Sequence, residues 1–212
     1  MTSTAKTKKR DAILGAANMQ FKLYGYQKTS MENIANSLGI SRASLYSYFE
    51  NKDEIFRQVS IEIHESALTD AKQCLNDKGA DADLASKIEG ALRARHLPFH
   101  RRVTESIHGA ELYDEYSRLC GDIVADSFHR FQTMLAAALK SSVRRKEIEL
   151  KAFGLSAAGA AELLNLASVG LKRDAETIGV FEKRLHSFVL VFVTGLQRPF
   201  SGQEKREGEP QE

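Results

Sequence analysis

The sequence predicts an all-α chain: an N-terminal three-helix unit that contains a helix-turn-helix, followed by a larger helical domain. Three observations carry this. Only 3 prolines occur in 212 residues, at 98, 199 and 210. Nowhere do apolar and polar residues alternate with the period of two that marks a half-buried strand. From Asp11 onwards apolar residues recur every three to four positions, as one face of a helix requires. The composition, 42% hydrophobic and 27% charged, is that of a globular protein, and it excludes a disordered, collagen-like or disulfide-stapled chain. Cys74 and Cys120 read as free thiols of a reducing compartment. The polar, basic start is no signal peptide, and the longest apolar run, Phe188 to Val193, is too short to span a bilayer. A soluble, cytoplasmic protein with no membrane contact is expected.

The elements follow in order. Residues 1–10, MTSTAKTKKR, read as a flexible basic arm. A helix over about 11–23 carries Ile13, Leu14, Ala17, Phe21 and Leu23, and Gly25 ends it. Thr29, with Glu32 three residues on, reads as a capping box. The short helix it opens has Ile34, Ala35 and Leu38 on one face and stops at Gly39. Ser41 caps a third helix, whose core residues Leu45 and Phe49 are spaced i, i+4. After the polar break Asn51-Lys52-Asp53, a long helix runs to about Cys74. A loop follows to Asp83. Helical periodicity then covers about 84–97, 99–118, 120–143, 156–173 and 175–197, with Pro98 breaking the chain between the first two. Ser201 to Glu212 reads as a disordered charged tail.

Charge is unevenly placed. Residues 1–60 hold 9 Lys/Arg against 5 Asp/Glu, whereas residues 61–212 hold 21 against 23. A basic N-terminal part suits a polyanion. Two short helices joined by Gly39-Ile40-Ser41 make a helix-turn-helix, whose second helix can enter a DNA major groove.

The residues around that turn are more specific than the motif. Phe21, Gly25-Tyr26, Thr29-Ser30-Met31, Ile34-Ala35, Leu38-Gly39-Ile40-Ser41, Ala43-Ser44-Leu45-Tyr46, Tyr48-Phe49 and Lys52-Asp53 closely resemble the DNA-binding domain of TetR-type transcriptional regulators. The resemblance covers about residues 11–57. It implies that Thr29 and Ser30 contact phosphate and that Arg42, Ala43 and Ser44 read base edges. It also implies that Tyr46 and Tyr48 clamp the backbone and that Lys52 neutralises a phosphate. Ser47 departs from the larger residue of many relatives and leaves the base preference open. Residues 58–200 would then be the effector-binding and dimerisation domain.

In that domain the segments 156–173 and 175–197 are apolar nearly all round, which calls for burial on several sides. Packing against the same pair in a second copy gives a two-fold homodimer, and a dimer reads a near-palindromic double-stranded operator. His96, Phe99, His100, His108, Tyr113, Tyr116, Cys120, Phe128, Phe131 and Met134 have the apolar and aromatic character, with a few polar groups, that a small-molecule effector site needs. The same residues would also serve as an ordinary core. No metal or cofactor site is expected: Glu105-x-x-His108 has no second copy, as a di-iron bundle would require. No nucleophile elbow or phosphate loop occurs, so no catalysis is expected. The expectation is thus a ligand-responsive repressor released from DNA by an effector. A helical bundle that binds or converts small molecules without DNA is the competing reading. An activator of the same fold is a third.

Overall fold

The computed structural model describes residues 3–79 and 83–197. Among these, nine α-helices form: α1 (Ser3–Tyr24), α2 (Met31–Ser37), α3 (Arg42–Tyr46), α4 (Lys52–Leu75), α5 (Leu84–Thr104), α6 (Gly109–Leu119), α7 (Gly121–Arg144), α8 (Ala157–Leu171) and α9 (Ile178–Gln197), with one 3₁₀ turn at Lys151–Phe153. The tail 201–212 and residues 198–200 lie outside the described residues.

Most helix starts are written in local chemistry. The Asn51 side chain accepts from the Glu54 N–H at 2.8 Å, Asp83 from Ser86 at 2.7 Å and Ser156 from Gly159 at 3.0 Å, each satisfying an orphan donor of a first turn. The box before α2 is shifted by one residue from the expected Thr29–Glu32. Ser30 is the cap: its hydroxyl accepts from Asn33 N–H, and Asn33 Oδ1 accepts from Ser30 N–H. Gly25 closes α1 with φ +81°. A Cβ there would also fall 2.3 Å from Glu111 Oε2; that flexible side chain can move aside, so it is the conformation that calls for glycine.

Two expectations are corrected. Helix α1 reaches back to Ser3, so the basic segment read as a flexible arm is helical from there. Lys9 and Arg10 are tied down, to Ser44 at 3.1 Å and Gln58 at 2.7 Å. Pro98 does not break the chain either: it lies inside α5, which continues to Thr104. A proline forfeits one backbone bond and crowds the preceding turn. Here the packing of α5 along α4, α6 and α9 offsets that loss. The chain turns instead at 105–108, where Gly109 starts α6. A Cβ on Gly109 would lie 1.8 Å from the Val103 carbonyl oxygen, a close approach that only glycine permits.

Two cores result. One joins α1, α2, α3 and the start of α4 through Ile13, Leu14, Ile34, Leu45, Phe49 and Ile55, with Leu112 and Cys120 from beyond the helix-turn-helix. Phe21, Tyr26 and Phe56 meet at its centre with ring centroids 5.1–5.7 Å apart, worth roughly 0.5–1.5 kcal/mol per aromatic pair beyond area burial. The other packs α4, α5, α7, α8 and α9 around Leu92, Phe131, Leu135, Leu164, Phe181 and Leu185. Helix α4 belongs to both: Ile55, Phe56 and Val59 enter the first, Leu68 and Ala71 the second. No helix among the described residues is long and apolar enough to cross a membrane.

Candidate nucleic-acid interface

Helix α3 is held from behind and open in front. Leu45 and Phe49 are buried in the first core. Ser41 caps the helix by accepting from Ser44 N–H at 3.1 Å. Arg42, Ala43, Tyr46 and Ser47 are all exposed, and the spacing i, i+1, i+4, i+5 puts them on one helical face. The Arg42 guanidinium donates to the Tyr46 hydroxyl at 3.2 Å and lies 5.4 Å from its ring centroid. It is thereby laid along the face rather than left to wander. Glu32 of α2 is the carboxylate whose field reaches Arg42.

The flank of this face is basic. Lys9 donates to the Ser44 hydroxyl and stands 5.8 Å from the Tyr48 ring centroid. Arg10 lies over Phe49 at 5.3 Å. In the sequence Lys9 belongs to a stretch that reads as a flexible basic arm, which gives it no fixed partner. Helical continuation of α1 supplies one.

The predicted site residues separate. Arg42, Ala43, Ser44, Tyr46, Ser47 and Tyr48 lie on α3 or just after it, and Ser30 is exposed at the start of α2. Ser47 turns its hydroxyl back to the Ser44 carbonyl at 2.6 Å. Thr29 is 2% exposed; its hydroxyl donates to the Gly25 carbonyl at 2.7 Å and its N–H to Tyr26. It closes the α1–α2 turn and does not offer its side chain to a phosphate. Lys52 also turns inward. Its ammonium donates to the Tyr26 carbonyl at 2.8 Å, 4.1 Å from that ring's centroid, and burial lowers its pKa. The Tyr26 hydroxyl in turn donates to Asp53.

A second set of residues, which sequence spacing does not reveal, joins this domain to α6 and the start of α7. Gln27 gives its backbone N–H to Glu111 at 2.6 Å and its side-chain amide to Glu115 at 2.5 Å. Arg118 pairs with Glu115 at 2.7 Å and reaches Asp53 at 3.7 Å. Arg57 grips Asp122 with both terminal nitrogens, at 2.7 and 2.8 Å, and holds that carboxyl down at about 2.

The predicted effector residues divide as well. His96, Phe99, His100 and Tyr116 gather between α5, α6 and α9. The Phe99 and Tyr116 ring centroids are 4.1 Å apart, and His96 and His100 stand 6.1 and 5.6 Å from Phe181. With α5 unbroken at Pro98, the two histidines share a face. His96 Nε2 bonds Ser168 Oγ at 2.7 Å. Tyr113 is exposed at the edge of this group, 6.5 Å from Phe99. The others lie elsewhere. His108 sits at the start of α6, 3.6 Å from Glu111. Cys120 is buried beneath Ser60 in the first core. Phe131 is core, Phe128 is half-buried on α7, and Met134 lines a 470 Å³ surface groove with Lys72 and Arg145. No three His, Cys, Asp or Glu side chains converge as metal ligands among the described residues.

Comparison with known proteins agrees with this geometry. Residues 13–59, the whole of the helix-turn-helix unit, match the family of bacterial regulatory proteins described as the tetR family. Beyond that unit, the chain is 30% identical over 178 residues to the nucleoid occlusion factor SlmA of Photobacterium profundum, spanning 82% of this chain and 87% of that protein. The chain belongs to the TetR family. With the HTH-type transcriptional regulator YfiR of Bacillus subtilis the identity is 36% over 59 residues, 28% of this chain and 29% of YfiR. The fold extends over nearly the whole chain. A transcriptional regulator of Cytophaga hutchinsonii superimposes with a TM-score of 0.71 at 22% identity, covering 90% of this chain and 99% of that one.

Proposed function

We propose that the chain is a ligand-responsive repressor that binds a near-palindromic operator as a homodimer. The observation that carries the reading is the open face of α3, with Arg42 braced on Tyr46 and Lys9 at its flank. Arg42 presents the planar fork that binds guanine O6 and N7, and Ala43 offers a methyl to thymine. Ser30, Tyr46 and Tyr48 supply hydroxyls, and Lys9 an ammonium, toward phosphates. Thr29 and Lys52 act from within, fixing the turn on which α2 and α4 are seated.

The dimer forms through α8 and α9. Leu163, Leu166 and Val169 on α8 and Leu190 and Val191 on α9 are exposed in the single chain, Val191 at 73%. A stripe of this kind is the mark of a partner surface. An effector entering between α5, α6 and α9 changes the half-site spacing only through its differential affinity for the two arrangements. Helix α4 carries the shift, and the α6 contacts to Gln27, Asp53 and Arg57 share it.

The test is selection of fragmented genomic DNA from the source organism by the purified full chain. Enrichment of one near-palindrome, lost on Arg42→Ala substitution, is the expected result. A folded dimer that enriches nothing at low salt overturns the proposal.

A further inference from the structure

The interior of the effector domain holds cations without counter-charges. Arg95 and Arg102, both on α5, are each 8% exposed. Among the described residues the arginine ion pairs are those of Arg57, Arg93, Arg118, Arg130 and Arg145; Arg95 and Arg102 enter none. Arg95 Nε has no hydrogen-bond partner, and the buried His100 Nε2 and Asn165 Oδ1 are likewise unmatched. Buried arginines are ordinarily paired, because desolvating an unpaired charge is costly.

The placement is coherent. Arg95, Phe99 and Arg102 follow i, i+4, i+7 and so share one stripe of α5. Tyr116 lies against Phe99 and neighbours both arginines. Lys172, just past the end of α8, is near the same group: its charge is felt by His96 and His100, and burial, with Arg95 nearby, holds its own pKa down at about 8. No neighbour supplies a negative charge. Burial keeps the Tyr116 hydroxyl and the Cys120 thiol protonated and His64 neutral. The carboxylates close by are engaged elsewhere, Glu115 with Arg118, Glu65 with Arg130 and Glu89 with Arg93.

We infer that this interior site, walled by Phe99, Tyr116 and Phe181 and charged by Arg95, Arg102 and Lys172, takes an organic anion: a carboxylate or phosphate group on a flat apolar body. The aromatic walls take the body and the guanidinium forks the anionic group. The inference rests on the effector-domain reading above and narrows its ligand to one chemical class.

The experiment uses the full chain without DNA, so that its outcome is independent of whether an operator is found. Thermal unfolding and titration calorimetry are run with 2-naphthoate, 2-naphthyl phosphate and the neutral 2-naphthamide. At about 100 times its Kd, at least one anion raises the Tm by roughly 5 °C, while the amide does not. The arm that binds tells carboxylate from phosphate. Arg95→Met and Arg102→Met each weaken that anion at least tenfold, and Arg95→Lys restores part of the loss. Without ligand, Arg95→Met unfolds at a temperature equal to or above that of the unsubstituted chain, because an unpaired buried charge is gone. Binding of the amide as tightly as the anions overturns the inference. So does failure of both anions to bind, or anion binding that survives both methionine substitutions.

Discussion

At Arg42 the guanidinium is already laid along α3 by the Tyr46 hydroxyl, so little side-chain entropy remains to be lost on meeting a base. Arg42→Ala is expected to cost about 1–3 kcal/mol of operator affinity, roughly 5- to 150-fold, and to relax base preference at one position. Fluorescence anisotropy on the selected operator and its single-base variants measures both. Gly25 shows a different dependence on a single residue. Its φ of +81° and the nearby Glu111 carboxylate make Gly25→Ala destabilising by about 1–2 kcal/mol from conformation alone, with the displaced Glu111 adding to it. Urea unfolding of Gly25→Ala, Glu111→Ala and the double variant separates the two contributions. The double variant is expected to lose less than the sum of the singles.

At the scale of the element, α4 carries a buried histidine that binds α7 and α6 together. His64 Nδ1 bonds Ser127 at 3.0 Å and Nε2 bonds the Tyr116 hydroxyl. Burial, with Arg95 nearby, lowers its pKa to about 4. The unfolded chain takes up this proton near pH 6.5, so between pH 6.5 and 4 the unfolded state binds more protons and stability rises with pH. The contribution is whole above pH 6.5 and is lost progressively as pH falls towards 4, to a total of about 3 kcal/mol for this one group. His96, lowered in the same direction by burial, steepens the slope. Chemical denaturation from pH 4 to 7 is expected to show it, and His64→Gln to flatten it. An unchanged slope in that variant would remove His64 from the account.

The whole molecule is two cores threaded by one helix, with an apolar face left open on α8 and α9. Leu166 is 53% exposed and Val191 73%. Placing a charge on either desolvates it in the proposed two-fold interface. Leu166→Glu and Val191→Glu are expected to shift the chain from dimer to monomer in light scattering, with the helical content kept. Operator affinity should fall with them, because one α3 reads only one half-site. DNA affinity of the intact dimer should decline linearly in log K against log salt, with a slope near −0.9 per phosphate neutralised. Lys9→Ala, which removes one ammonium from each half of the dimer, is expected to reduce that slope by about 2 without changing sequence preference.

The all-α class, the glycine after α1, the cap at Ser41 and the family likeness of about residues 11–57 are legible along the chain. These depend on backbone dihedrals and hydrogen bonds that close within about four residues, so they can be read along the chain. Tertiary structure decided the rest. Thr29 and Ser30 are adjacent hydroxyls in sequence; one is buried under the Gly25 carbonyl and the other caps α2. Lys52 resembles a phosphate ligand until Tyr26, 26 residues earlier, takes its ammonium. Pro98 breaks an isolated helix but not one packed on three neighbours. Above all, Arg95 and Arg102 look in sequence like solvated arginines. The packing of α5 against its neighbours buries them, and the ion pairs among the described residues include no carboxylate that follows them inside. Solvation and charge pairing are set by groups far apart in the chain, and local spacing carries no record of them.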